Sequence, residues 1–271
     1  MEEDIEYLNI LDLFLRIVQS NVGVKLTDLR LAEAESLARK FFMHCASVFY
    51  LGRCTTIKDF PSTLVDFLDA PSINVIARAI VETYLTFHYV FGSNVSEHER
   101  EFRFYSWQLG GYKDRQKYLS MVSILKKEAD KIKASDQECI QHCEDIIKSN
   151  AIFLSLKPKQ QSRILDGNWK IQSWREIALD ARLSELHANV FYSYLCGWAH
   201  SSSLSTLQLS EANIIEKQRE LIGGSIGVIK IAMSNFTLEY SELFPMSKLE
   251  LDRNKETRRL AEDWVLVGRK V

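Results

Sequence analysis

Two short stretches hold the residue types and spacings best suited to chemistry. In the first, Arg78 and Glu82 are the only charges in a run built from Ile73, Val75, Ile76, Ile80, Val81, Tyr84, Leu85 and Phe87. Four residues apart on a helix, the two side chains share one face. Two charges on an apolar helix are costly unless they pair or line a polar cleft. One reading is a buried ion pair that fixes helix packing. The other is an electropositive clamp, with Glu82 orienting Arg78 toward a phosphate or carboxylate. The second stretch is HANVFYSYLCGWAHSSSLS, residues 187–205. Tyr192, Cys196 and His200 share one helical face, and Asn189, Ser193, Gly197 and Ser201 share its neighbour. His200 ends the helical pattern just before Ser201, Ser202 and Ser203. There it could bind an anion with the serines or act as an acid/base. A charged histidine also suits a helix C-terminus without any further role.

Weaker constellations surround these. Arg39 and His44, and Arg182 and His187, form two Arg-x4-His strings. An arginine and a histidine about one turn apart can serve RNA cleavage, the histidine taking the 2′-hydroxyl proton and the arginine meeting the phosphate charge. Cys139, His142 and Cys143 display only half of a four-ligand zinc site, so no metal is expected. Residues 113–175 carry thirteen Lys/Arg against eight acids, with Tyr118, Trp169 and Trp174 interleaved. Lys126, Lys127, Lys131 and Lys133 are the nucleic-acid contact expected there, set against a merely solvated helix surface. There is no phosphate-binding glycine loop, and Gly223 and Gly227 read as a packing face. No cofactor is implied.

The elements that must position these residues are helical almost throughout. Apolar periodicity predicts helices over 3–20, 27–52, 61–70, 73–91, 96–111, 112–149, 173–183, 185–201 and 211–243. A C-terminal amphipathic helix is expected over 247–265. Pro61 should open the 61–70 helix and Pro71 stop it, with Ser72 capping the next. Gly110-Gly111 should kink or break its helix, and 150–172 reads as a flexible loop. No strand is convincing. The expectation is an all-α, multi-helix bundle of about eight to ten helices, a single domain over 1–271 with its core at about 27–245.

Composition agrees. The 271 residues hold only 11 Gly and 4 Pro, too few for a turn-dense β-sandwich. A net charge of −2 excludes a basic footprint spread over the whole chain. No run of 18 apolar residues suggests a membrane span, the acidic start is unlike a secretory signal, and five cysteines read as reduced thiols; a cytoplasmic location is expected.

The strings SINVIARAIVE (72–82) and YSYLCGWAHS (192–201), the second preceded by Trp174, together resemble a widespread bacterial family of unknown function. Its members are all-helical, carry Arg-x3-Glu on an apolar helix, and later have a Tyr-rich helix ending in His and a small residue. The resemblance covers roughly residues 30–210. That family is distantly similar to the HEPN superfamily of helical bundles, many of which are metal-independent ribonucleases of toxin–antitoxin and anti-phage systems. The resemblance implies an HEPN-like intracellular effector acting on RNA, with Arg78, Glu82 and His200 as site residues. HEPN ribonucleases usually carry Arg-x4–6-His in one segment, whereas Cys196 and Gly197 lie near His200 here. The alternative is a non-catalytic interaction module binding a partner protein, a nucleotide or a second copy of itself.

Overall fold

The structure is a computed structural model that describes residues 4–57, 65–121 and 126–270. In chain order its elements are α1 (Ile5–Gln19), α2 (Leu29–Leu51), β1 (Thr55–Ile57), β2 (Val65–Phe67) and α3 (Ala70–Phe87). A π-helical turn (His88–Gly92), α4 (Glu97–Met121), α5 (Lys126–Ser149), α6 (Ala151–Ser155) and α7 (Pro158–Leu165) follow. Next come α8 (Trp174–Asp180), a second π-helical turn (Leu186–Phe191), α9 (Tyr192–Ala199) and α10 (Ser203–Glu211). The chain ends with α11 (Ile215–Leu243), α12 (Pro245–Arg253) and α13 (Lys255–Arg269). It divides into two compact units, Met1–His88 with Trp174–Val271, and Tyr89–Ser173.

The first unit is built around α11, which packs against α1, α3, α12 and α13. Phe236 of α11 is the hub: its ring lies 4.1 Å from Phe87 of α3, 4.4 Å from Phe41 of α2 and 5.3 Å from Phe14 of α1. All four rings are fully buried, and each aromatic of this size removes a large apolar area from water. The core therefore includes α1, which precedes the expected start at 27. By length and composition α11 could cross a membrane, but 72% of its most apolar window is buried inside the protein. Its one buried cation, Lys230, is neutralised by Asp4 at 3.0 Å and Glu6 at 3.2 Å and lies 4.1 Å from the Trp264 ring. That pairing removes most of the cost of placing an ammonium there.

The fold is all-helical apart from one short ribbon, and several expectations are corrected. The expected 61–70 helix falls partly outside the described residues. Where it is described, Val65–Phe67 pairs antiparallel with Thr55–Ile57. Pro71 does not stop a helix but sits in the first turn of α3, whose cap is Asp69, accepting from the Ser72 N–H at 3.1 Å. Thirteen α-helices are present among the described residues, more than the expected eight to ten. Part of the excess arises because Asn254 splits the expected 247–265 helix, its side chain turning back to the Glu250 carbonyl at 2.8 Å.

The second unit is an antiparallel pair, α4 and α5, closed by α6 and α7. Phe102, Leu109, Ile140, Ile147, Phe153 and Ile164 form its core. Arg115 pairs with the buried Asp136, and Lys113 with Glu144 at 2.9 Å, across the two long helices. The expected loop at 150–172 instead holds α6 and α7. Asn150 caps α6 by accepting from Ile152 N–H at 2.9 Å, and α7 begins on Pro158. It ends in a Schellman turn: Gly167, at φ +97, donates to Ile164 and Asn168 donates to Arg163.

Gly110-Gly111 does not break α4. Gly110 is where the Gly167 turn lands on the helix: a Cβ there would lie 2.9 Å from the Gly167 carbonyl oxygen. Gly111 faces open space. Gly111→Ala should therefore stabilise by about 0.5–1 kcal/mol through helix propensity, while Gly110→Ala should destabilise by about 1–3 kcal/mol through overpacking. Urea unfolding of the two variants checks the opposite signs.

Candidate functional site

On α3, apolar positions Ile73, Ala77, Ile80, Val81 and Tyr84 face inward. Arg78 and Glu82 occupy the flank of the same helix that lies beside α9. Arg78 Nε donates to Glu82 Oε1 at 3.1 Å, and the Tyr192 hydroxyl donates to the same oxygen at 2.8 Å. Arg78 Nη1 lies 3.1 Å from His200 Nε2. Residues 122 positions apart in sequence thus meet directly, and Arg78, Glu82 and His200 form one site with Tyr192. A guanidinium can only donate, so a hydrogen bond in this contact has His200 Nε2 as its acceptor. The Nε2 edge of His200 faces Arg78.

The electrostatics follow from this packing. Partial burial works against the Arg78 charge, but Glu82 first, then Cys196 and Tyr192, hold its pKa above the ordinary value. Burial, reinforced by the hydrogen bond to Glu82, pushes the Tyr192 hydroxyl well up, so it stays a donor. The Arg78 and Glu82 side chains keep 22% and 30% of their exposure, and His200 is exposed. The pair therefore lines a wet surface rather than a sealed core. An apolar cavity walled by Val81, Tyr84, Phe191, Tyr192, Leu195 and Ile231 lies next to it and shares Tyr192.

His200 is presented by a strained turn. α9 ends in a Schellman motif in which Ser201 donates to Trp198 and Ser202 to Gly197. Ser201 takes the left-handed position at φ 52, where glycine is usual. Gly197 lies beneath it, where a Cβ would come a tight 3.0 Å from Ser202 Oγ. Ser202 then caps α10, accepting from Ser205 N–H. The serine run thus forms the turn that places His200.

The other sequence candidates do not assemble. Arg39 reaches Glu35 and Ser36, and no described contact joins it to His44. Arg182 sits at φ 59 in the turn after α8, while His187 bonds Ser184 Oγ at 2.8 Å and stacks on Phe191. Cys143 is buried, and burial with the adjacent Cys139 and Glu144 pushes its thiol up to about 11. No group of three or more His, Cys, Asp or Glu is arranged to hold a metal among the described residues. On α5, Lys127 and Lys131 are exposed and Lys133 is half-buried, with exposed Glu128 and Asp130 between them. The Lys126 side chain lies outside the described residues.

A second polar cluster lies in the same unit and has no signature in the sequence. Buried His88 faces Glu239 through Nδ1 at 3.0 Å and Asp180 through Nε2 at 3.3 Å. The Tyr84 hydroxyl donates to Glu239 at 3.0 Å. With a carboxylate at each ring nitrogen, the imidazolium is the form that satisfies both. It ties α3 to α8 and α11.

Residues 44–214 match the model of DUF5677, a family of unknown function. That span is more than half of the chain and contains Arg78, Glu82, Tyr192 and His200; the protein belongs to this family. No curated protein and no solved structure matches it.

Two predictions follow from these geometries. Because water solvates whichever charge remains, Arg78→Ala should lower stability by about 1 kcal/mol or less, not the roughly 3–5 kcal/mol of a broken buried pair. Denaturant melts of Arg78→Ala and of Arg78→Met with Glu82→Leu test this, the double variant gaining no rescue. For His88, burial lowers the pKa, but the hydrogen bond and charge of Glu239 and the charge and bond of Asp180 outweigh it, so the net shift is upward. The folded state then holds the proton more tightly than the unfolded one. This contribution is fully present below about pH 6.5 and is lost as pH rises through the raised folded value. Melts across that range should show the decline in the wild type and a flatter profile in His88→Gln.

Proposed function

We propose that the α3–α9 site binds a phosphodiester and moves a proton on it, making the protein an HEPN-like, metal-independent endoribonuclease. The observation that carries this reading is the contact between Arg78 Nη1 and His200 Nε2, with Arg78 held from behind by Glu82. An RNA phosphate is a stronger acceptor than a neutral imidazole. Entering the site, it takes Nη1 and releases the Nε2 lone pair beside the scissile group. His200 then accepts the 2′-hydroxyl proton, the 2′-oxygen attacks phosphorus, and the 5′-oxygen leaves with a proton from water. The products are a 2′,3′-cyclic phosphate and a 5′-hydroxyl. Arg78 meets the charge that develops on the phosphoryl oxygens. Glu82 keeps Arg78 in place, and Tyr192 keeps Glu82. The α5 lysines Lys126, Lys127, Lys131 and Lys133 are the proposed auxiliary contact with the strand. The cellular setting we assign is a cytoplasmic effector of a toxin–antitoxin or anti-phage system.

A second reading is a non-catalytic module that binds a partner protein, a nucleotide or a second copy of the chain. Its support is the apolar surface directly after His200, where Leu204 and Leu207 are 54% and 58% exposed. Total RNA incubated with purified protein in EDTA separates the two. The nuclease reading expects cleavage with cyclic-phosphate ends, falling at least about a hundredfold in His200→Ala, the lower range for a general base. Inert RNA with the wild type, or cleavage retained in His200→Ala, rejects it.

A further inference from the structure

The first unit carries an open groove between α10 and the first turns of α11, with a volume of about 410 Å³. That lies within the about 300–1,000 Å³ of pockets that take small molecules. Gln208, Glu211 and Ala212 form one wall, and Lys217, Glu220 and Leu221 the other. Gln208 and Glu211 stand three apart on α10 and so share a flank. Buried Ala212 is the C-cap of that helix. On α11, Lys217, Glu220 and Leu221 fall at spacings of three and four, which puts all three on the face that borders the groove.

The charges of the groove are not used inside the protein. Glu211, Lys217 and Glu220 are exposed, and none makes an ion pair among the described residues. Lys217 and Glu220 have the spacing at which opposite charges pair readily on a helix, and they do not pair. Gln208 adds a sharper signal: its Oε1 is shut off from solvent and has no hydrogen-bond partner. A buried acceptor left unpaired is costly, and a donor in the groove, met by a turn of the amide, would relieve that cost. Solvation accounts for each exposed charge taken alone. It accounts for neither the unpaired amide nor the volume that these side chains surround.

We infer that the α10–α11 groove is a binding site for a basic amino acid, free or as the last residue of a peptide. The protein offers two carboxylates and one ammonium; arginine and lysine each carry two cationic groups and one carboxylate, the complementary set. Lys217 takes the α-carboxylate. Glu211 and Glu220 take the α-ammonium and the side-chain cation, with Gln208 Oε1 accepting a further N–H. The aliphatic stem lies on Ala212 and Leu221, as such stems do along apolar surface. A nucleotide is disfavoured by sign, since its phosphate would meet two carboxylates for one lysine. The groove is separate from the α3–α9 site, and its occupation stands whether or not RNA is cleaved.

Isothermal titration of the full chain with L-arginine and L-lysine tests this. At least one should bind saturably, one per chain, and more weakly as salt is raised. Glu211→Gln and Glu220→Gln should each weaken binding about fivefold, the upper range for an exposed ion pair, and the double variant by more than about tenfold. Lys217→Gln carries the distinguishing readout. Wild-type protein should prefer L-arginine to agmatine and L-lysine to cadaverine, the amines that lack the carboxylate, and the preference should vanish in Lys217→Gln. A merely structural role for Lys217 would weaken acid and amine alike and overturn its assignment. Circular dichroism confirms that each variant is folded. Glycyl-L-arginine separates the two sources: binding as tight as free arginine assigns a peptide end, and weaker binding assigns the free amino acid. No saturation by either amino acid at about 10 mM, far above the about 1 mM Kd of a weak specific site, overturns the proposal. So does unchanged affinity in the double carboxylate variant, or agmatine binding the wild type as tightly as L-arginine, which would mark a site for plain cations.

Discussion

A single carboxylate oxygen, Glu82 Oε1, accepts both the Arg78 Nε and the Tyr192 hydroxyl, and the arrangement of the α3–α9 site follows from it. The bond to Arg78 fixes the plane of the guanidinium. The bond to Tyr192 fixes α9 against α3, and α9 carries His200 at its end. Since Nε is committed to Glu82, the opposite edge of the guanidinium is what remains for His200 and for any anion. The rigid fork of arginine makes this geometry definite in a way a lysine could not. The far end of α3 is held independently, where His88 is clamped between Glu239 of α11 and Asp180 of α8. Below both lies the aromatic hub around Phe236, which leaves α3 little freedom to rotate. Polar contacts at the surface can therefore set angles because apolar packing has already set the helix.

The long helices were legible in the sequence because their apolar period repeats over many turns. α2 starts at Asp28 and ends before Gly52 as capping chemistry requires. The errors cluster where no period can develop. Three-residue strands at Thr55–Ile57 and Val65–Phe67 are too short to alternate visibly. α6 and α7 are short helices that owe their existence to Asn150, Pro158 and the Gly167 turn, and to the close approach that Gly110 permits. The glycine pair was legible as a local weakness. Its use as a docking point depends on a turn more than fifty residues later, beyond the reach of local spacing.

The site shows the same division. Arg78 and Glu82 declare themselves as charges at spacing four on an apolar run, and His200 as the last residue of a Tyr-rich helix. The family resemblance joined the two stretches, which spacing could not do. His88, Glu239 and Asp180 lie 151 and 92 positions apart, on helices whose individual patterns are ordinary. Glu239 alone, set in the mostly buried α11, was the available signal, and a carboxylate near the end of a long helix is common enough to pass unnoticed. Buried ion clusters of this kind are fixed by tertiary packing, and a sequence read one helix at a time contains no record of it.

The turn after α9 bears on whether the site does chemistry or only binds. Ser201 occupies a left-handed conformation that costs about 1 kcal/mol or more in a residue other than glycine or asparagine. Glycine would relieve that strain, and the hydroxyl of Ser202, by capping α10, already supplies the polar function the turn needs. The strain is tolerated because the turn is held on both sides: Ser202 packs close over Gly197, and the Schellman bonds close the backbone. A turn held this firmly fixes the His200 Cα and leaves mainly the side-chain torsions free. A site that merely clasps an anion gains little from such rigidity, because a guanidinium adapts to its partner. A proton carrier gains much, since transfer needs Nε2 within hydrogen-bond reach of one particular oxygen. A rigid perch for the imidazole beside an arginine fixed by its own carboxylate is the geometry that the proposed proton transfer would need.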